Sequence, residues 1–208
     1  MKQVLTPMAF QHAALVDRVQ MDRLATYLIH LQKWQGRINL VGPQTMLDPW
    51  KRHFLDSAQL VPLLPDGKPK VIDLGSGGGF PGMVLAMLSA ADVHLVDSDS
   101  RKCIFLREVA RLTNTEITVH NSRIEALPPQ KANVVTARAL APLDHLMDLA
   151  APLLGPSGMC LFLKGRSVDS ELTASKKTWK MRVRRISSRS DPEGVILKLD
   201  QIIRRDDR

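Results

Sequence analysis

A glycine-dense turn between an apolar strand and an apolar helix constrains this 208-residue chain more than any other stretch. Val71-Ile72-Asp73-Leu74 runs into Gly75-Ser76-Gly77-Gly78-Gly79-Phe80-Pro81-Gly82, five glycines in eight residues, where an ordinary loop needs far fewer. Past Pro81, the residues Met83, Val84, Leu85, Met87 and Leu88 suit a helix. Such a strand–turn–helix leaves backbone N–H groups free to face a ligand, and glycine lets that ligand approach the chain closely.

Two ligand classes suit the turn. Read as G-x-G-x-x-G through Gly77, Gly79 and Gly82, it suits a dinucleotide. Asp73 argues against that reading, because a carboxylate at the strand end repels a diphosphate. S-adenosylmethionine has no phosphate and carries cationic ammonium and sulfonium groups, so an acid there is favourable. A second apolar run, His94-Leu95-Val96, ends in Asp97. That places an acid about 20 residues past the first glycine, where it can grip ribose hydroxyls of either ligand. Asp73, Gly77, Gly79 and Asp97 are therefore the expected donor-site residues, and Asp73 decides for the methyl donor.

Length and composition fit one ordinary domain with a small appendage, and 44% hydrophobic residues suffice for a core. No apolar run is long enough to span a membrane. The apolar stretch within Met1–Pro7 is too short for a signal peptide. Cys103 and Cys160 form no C-x-x-C, and the six histidines lack metal-ligand spacing, so two buried thiols, no metal and a cytoplasmic location are expected. The net charge of +8 points to a polyanionic partner. Seven basic side chains and no acid lie between Lys176 and Arg189, and more lie at Lys51-Arg52, Arg101-Lys102, Arg107 and Arg111. Any one cluster could be a solvated face. Together with a ligand fold that needs a substrate, they favour nucleic acid. Strand-like alternation at Val183, Ile186, Val195, Leu197 and Leu199 argues against an amphipathic membrane helix.

Periodicity predicts a helix over 10–34 (Leu15, Val19, Leu24, Leu28 and Leu31 inward, Asp17 and Arg18 outward) and a second over 45–60. Pro62, Pro65 and Gly67 then form a linker. Strands at 70–74, 93–97, 116–120, 132–136 and 158–164 alternate with helices at 81–89, 100–112, 142–153 and 168–178, and strands at 181–189 and 194–202 close the chain. The expected fold is α/β and doubly wound: a mostly parallel seven-stranded sheet with a C-terminal antiparallel hairpin. Residues 1–66 form a helical cap on the ligand-binding unit of residues 67–208.

Ligands of such folds sit at the carboxyl ends of the strands. After the third strand, polar residues of His120-Asn121-Ser122-Arg123-Ile124-Glu125 could meet an adenine ring. Asn121 or Ser122 could equally cap a helix, with Glu125 closing a capping box. Arg138, the lone charge of a long apolar stretch, ends the fourth strand where the transferred methyl should lie. Lys164, ending the fifth, could face RNA phosphate or reach solvent. The fourth strand lacks the Asn/Asp-Pro-Pro-aromatic loop of exocyclic-amine methylation, and neither cysteine is placed to attack a cytosine. Guanine N7 needs neither device, because its lone pair is free at neutral pH and alignment carries the rate.

These residues resemble the RsmG (GidB) family of bacterial methyltransferases, which act on N7 of a guanine in the 530 loop of 16S ribosomal RNA. The resemblance rests on Lys33-Trp34 with Asn39-Leu40, His53-Phe54-Leu55-Asp56-Ser57, the block from Asp73 to Gly82, Ser122-Arg123-Ile124-Glu125 and Ala137-Arg138-Ala139. It runs nearly end to end; Gln35 departs from the usual Asn. It implies a Rossmann-like class I methyltransferase with donor contacts at Gly75, Phe80, Ile124, Glu125 and Arg138. His53 and Asp56 are implied to approach the pocket from the cap and, with Arg138, to serve catalysis. It also implies S-adenosylmethionine as co-substrate and 16S rRNA or the 30S subunit as partner. Nothing in the residues demands a dimer, so a monomer is expected. An NAD(P)-dependent oxidoreductase and a non-catalytic RNA-binding protein are the rival readings.

Overall fold

The computed structural model describes residues 4–205; Met1–Gln3, part of the stretch weighed as a signal peptide, and residues 206–208 lie outside the described residues. The chain opens with two helices rather than one, α1 (Pro7–Ala14) and α2 (Arg18–Gln35). Leu15 adopts a left-handed conformation (φ 54°) and ends α1. Asp17 then starts α2 through a capping box: its carboxylate accepts from Gln20 N at 2.8 Å, and Gln20 Oε1 accepts from Asp17 N at 3.1 Å. Asp17 is therefore a cap, not an outward helical residue. Leu15 and Val19 are exposed, and the buried stripe is Leu24, Tyr27 and Leu31. The leucine spacing ran through a break that the cap residue creates.

The helix expected over 45–60 is likewise a series of short turns. A 3-10 turn (Pro43–Leu47) leads to a π-helical turn (Trp50–Leu55), the short α3 (Asp56–Ala58) and a further 3-10 turn (Val61–Leu63). The π turn buries Trp50, His53, Phe54 and Leu55, four of its six residues.

Seven strands follow, β1 (Lys70–Leu74), β2 (Asp92–Asp97), β3 (Thr118–Asn121), β4 (Ala132–Arg138), β5 (Leu154–Lys164), β6 (Trp179–Ser187) and β7 (Val195–Arg204). Their order is β3-β2-β1-β4-β5-β7-β6. The first five run parallel, and β7 lies antiparallel between β5 and β6. The expected C-terminal hairpin is present, with β6 as the sheet edge. Helices α4 (Gly82–Leu88), α5 (Ser100–Leu112), α6 (Leu143–Ala150) and α7 (Val168–Ser175) connect the parallel strands or lead into the hairpin.

Side chains of β1 alternate between two cores. Val71 joins Leu24, Tyr27, Phe54 and Leu106 on one face; Ile72 and Leu74 join Leu146, Phe162 and Leu197 on the other. The first core runs without a gap from Phe10 in the cap to Ile196 in β7, so the cap is welded to the sheet by burial.

Tyr27 concentrates that coupling. Its ring stacks on Phe80 at 5.1 Å and meets Phe54 edge-on at 5.5 Å, and its hydroxyl donates to the Gly78 carbonyl. Gly79 sits at φ 95°, and a Cβ there would lie 2.6 Å from the Tyr27 hydroxyl oxygen. Helix α2 thus grips the glycine turn from behind. Tyr27→Phe keeps the ring contacts but leaves the Gly78 carbonyl buried and unpaired, so the loss of stability on urea unfolding is expected to be about 1–3 kcal/mol.

Candidate functional site

A cleft of about 1110 Å³ opens at the carboxyl ends of the parallel strands. Its walls contain nine of the expected residues: Gly75, Gly77, Phe80, Asp97, Ile124 and Glu125, together with His53, Asp56 and Arg138. Asp73 and Gly79 are not on its walls.

On one side, Asp97 ends β2 and organises the turn. Its Oδ2 accepts from Gly77 N at 2.8 Å and its Oδ1 from Asp99 N at 2.9 Å. Lone pairs remain on both oxygens for a hydroxyl-bearing ligand. The capping box expected around Glu125 does not form: Ile124–Ala126 is one 3-10 turn without a side-chain cap. Asn121 instead donates to the carbonyls of Asp97 (3.2 Å) and Ser98 (3.3 Å). Ser122 is left with a buried hydroxyl that has no protein partner, beside Ile124 on the cleft wall. A carboxylate, an unpartnered hydroxyl, an apolar flank and glycine backbone together suit an adenosine.

Asp73 works behind this wall rather than on it. The residue is fully buried; Oδ1 accepts from Thr136 Oγ1 at 2.8 Å and Oδ2 from Gly82 N at 3.2 Å. The expected direct contact with a donor cation is therefore corrected: the carboxylate is fully buried, lies off the cleft wall and is turned towards β4 and α4. Its effect against a diphosphate survives by another route. Gly82 N–H is held by the carboxylate, Met83 N–H by the Gly79 carbonyl at 2.8 Å, and Pro81 has no N–H, so the start of α4 offers these groups to no phosphate. Gly79 faces Tyr27, which removes it from the expected donor contacts as well.

The opposite wall comes from the cap and β4. The Arg138 guanidinium lies 5.0 Å from the Phe80 ring centroid, its Nη1 donates to the Arg52 carbonyl at 3.0 Å, and Asp56 Oδ2 is 3.5 Å away. Asp56 Oδ1 accepts from Ser190 Oγ at 2.5 Å and Gln59 Nε2 at 3.2 Å. His53 stacks on Phe80 at 4.8 Å, and burial beside Arg138 and Arg52 holds its pKa at about 3. Thr45 Oγ1 donates its one proton to the Gly42 carbonyl (2.5 Å), so at 2.8 Å it accepts from His53 Nε2–H. His53 is thus a neutral imidazole at physiological pH. Lys164, on the cleft wall with its side chain 9% exposed, pairs with Glu171 at 2.6 Å and donates to the Ala141 carbonyl at 2.7 Å.

Sequence reasoning missed Tyr27, Thr136, Gln59 and Ser190. No local signal marks them, because each acts on a residue at least 51 positions away. Cys103 and Cys160 are buried and unpaired, and burial pushes both thiols up. Among the described residues, no cluster of His, Cys, Asp and Glu could hold a metal, and no helix is long and apolar enough to cross a membrane.

This sheet order, with a glycine turn after β1 and a cleft at the strand ends, defines a Rossmann-like methyltransferase fold. The same fold occurs in a SAM-dependent methyltransferase from Aquifex aeolicus (TM-score 0.59, 12% identity, covering 83% of this chain and 97% of that one). It recurs in a TehB-like SAM-dependent methyltransferase from Corynebacterium glutamicum (TM-score 0.57, 14% identity, 85% and 98% covered). The model of the GidB family, described as rRNA small subunit methyltransferase G, matches residues 20–192. Proteins called ribosomal RNA small subunit methyltransferase G are similar over most of the chain. That of Paramagnetospirillum magneticum is 57% identical over 189 residues, with 91% of this chain and 92% of the relative covered. That of Rhodospirillum rubrum is 54% identical over 200 residues, with 96% and 100% covered. The chain belongs to the GidB family.

Burial outweighs the hydrogen bonds on Asp73 and raises its pKa from 3.8 to about 6. A raised carboxyl stabilises the fold fully below pH 4 and loses that contribution as pH climbs through 6. Stability of the wild type relative to Asp73→Asn, measured by urea unfolding, is therefore expected to fall by about 2 kcal/mol between pH 4 and 7.

Proposed function

We propose that this protein transfers the methyl group of S-adenosylmethionine to N7 of a guanine in the 530 loop of 16S ribosomal RNA. The observation that carries the reading is that the imidazole stacked beside Arg138, His53, is too weak a base to take up a proton at neutral pH. His53 is held at about 3, so it is already the free base there but too weak to retain a proton. Both Asp56 oxygens are engaged within the protein. An exocyclic amine needs somewhere to send its proton, whereas the N7 lone pair needs only alignment.

S-adenosylmethionine, when bound, supplies a methyl group on an electron-poor sulfur. The backbone of Gly75–Gly78, Asp97 and Ser122 would hold it, flanked by Ile124 and Glu125. Arg138 positions the reacting groups over Phe80, and the His53 and Phe80 rings exclude water from that wall. Asp56 helps to hold Arg138, which makes it a supporting part of the wall. The same engaged N–H groups at α4 that disfavour a diphosphate argue against the NAD(P) reading.

The basic surface supports RNA as the partner, though fewer cations are free than the sequence implies. Arg182 pairs with Asp200, Arg185 with Asp169, and Arg189 donates to the Ala13 carbonyl. Arg184 and Lys198 face each other directly across β6 and β7. Like charges opposed across a ladder cost stability, and a phosphate between them relieves that cost. In this reading residues 1–66 cap the donor-binding unit of 67–208, and the protein acts as a cytoplasmic monomer, which sedimentation equilibrium checks.

The test uses tritiated S-adenosylmethionine with small-subunit particles and 16S rRNA from a strain lacking the enzyme, followed by mapping of the methylated nucleotide. Label at one N7 is expected, with Arg138→Ala at least about 100-fold slower yet unchanged in circular dichroism; label on another atom overturns the N7 assignment. RNA affinity should weaken with salt, and replacing both Arg184 and Lys198 by alanine should flatten the logarithmic slope by about 1–2.

A further inference from the structure

The tip of the β6–β7 hairpin is fastened to the acceptor wall by a directed chain of hydroxyl groups. Ser188 Oγ accepts from Gln59 Nε2 at 3.1 Å and from Ser190 N at 3.2 Å, and it meets Ser190 Oγ at 2.9 Å. Ser190, only 3% exposed, places its hydroxyl 2.5 Å from Asp56 Oδ1. An ionised carboxylate cannot donate, so the single Ser190 proton points to Asp56 and the Ser188 proton points to Ser190. Gln59 closes the tip by accepting from Arg189 N at 2.8 Å. Proton direction is thereby fixed from Ser188 through Ser190 to Asp56.

On the far side of the carboxylate, Oδ2 reaches Arg138 Nη1 at 3.5 Å, a long, single-pronged contact. Its length depends on how the carboxylate is rotated, and the other oxygen is held by Ser190 at 2.5 Å, with Gln59 Nε2 further off at 3.2 Å. We propose that Ser190 is a positioning residue for methyl transfer: its hydroxyl locks the Asp56 carboxylate and so fixes the Arg138 guanidinium over Phe80. This rests on the reading that Arg138 lies at the transfer point. Ser190 touches no reacting atom and acts only through Asp56.

A double-mutant cycle under saturating donor and small-subunit particles tests it. Ser190→Ala is expected to lower kcat about 10-fold while KM for the particle and the circular dichroism stay near wild type, with the melting temperature lowered by only a few degrees. Asp56→Asn combined with Ser190→Ala should be no slower than Asp56→Asn alone. Ser190→Cys keeps the shape with a weak donor; should the alanine variant fail to fold, the cysteine variant must show the same kcat loss. An unchanged kcat in a folded variant, or single losses that simply multiply in the double variant, overturns the proposal. If the wild type methylates no RNA, the functional reading falls instead, and the cycle is read from the calorimetric Kd of S-adenosylmethionine. Zero coupling there overturns the positioning role.

Discussion

The buried carboxylate of Asp73 is the interaction on which the rest of the architecture depends. It joins three elements that the chain order separates: its own strand β1, Thr136 on β4 and the first N–H of α4. Without that junction the glycine turn would have no fixed exit, since Gly75, Gly77 and Gly79 all take left-handed conformations that specify little by themselves. A charged group in such a place is costly, and burial shows in its raised pKa. Three-way bonding offsets part of that cost, and the ligand class follows from the same bonds.

On the wall formed by the cap and β4, aromatic contact works beside charge. Phe80, the residue that leaves the turn, carries Tyr27 and His53 stacked against it and Arg138 over its ring. One side chain from the glycine turn therefore touches both the cap and the guanidinium at the end of β4. Few aromatic residues are present, 4% of the chain, and most of the rings gather at this junction, where they join cap to sheet instead of offering a stacking platform to bases.

What could be read beforehand divides along physical lines. Strand and helix alternation from β1 to β7 was legible because the central parallel strands β1 and β4 are buried on both faces and read as apolar runs, whereas the edge strand β3 is not buried. The strand-end residues were legible because sheet topology fixes where ligands bind. The cap was misread as two long helices, since helical spacing persists across the Leu15–Asp17 break and a π turn leaves no periodic mark. Asp73 was selected for a sound electrostatic reason but placed on the wrong side of the backbone, as sequence gives no sign of which way a strand-end carboxylate faces. Contacts such as Ser190 to Asp56 span 134 residues and leave no local trace at all.

The placement of β7 between β5 and β6 brings the last segment of the chain back beside the first. Arg189 donates to the Ala13 carbonyl, and Arg52 pairs with Asp191 at 2.7 Å. During translation the glycine turn, Asp97 and Ser122 emerge long before position 188. A nascent chain can thus build one side of the cleft early, while the wall around Asp56 lacks the hydroxyl of Ser190 until synthesis is almost finished.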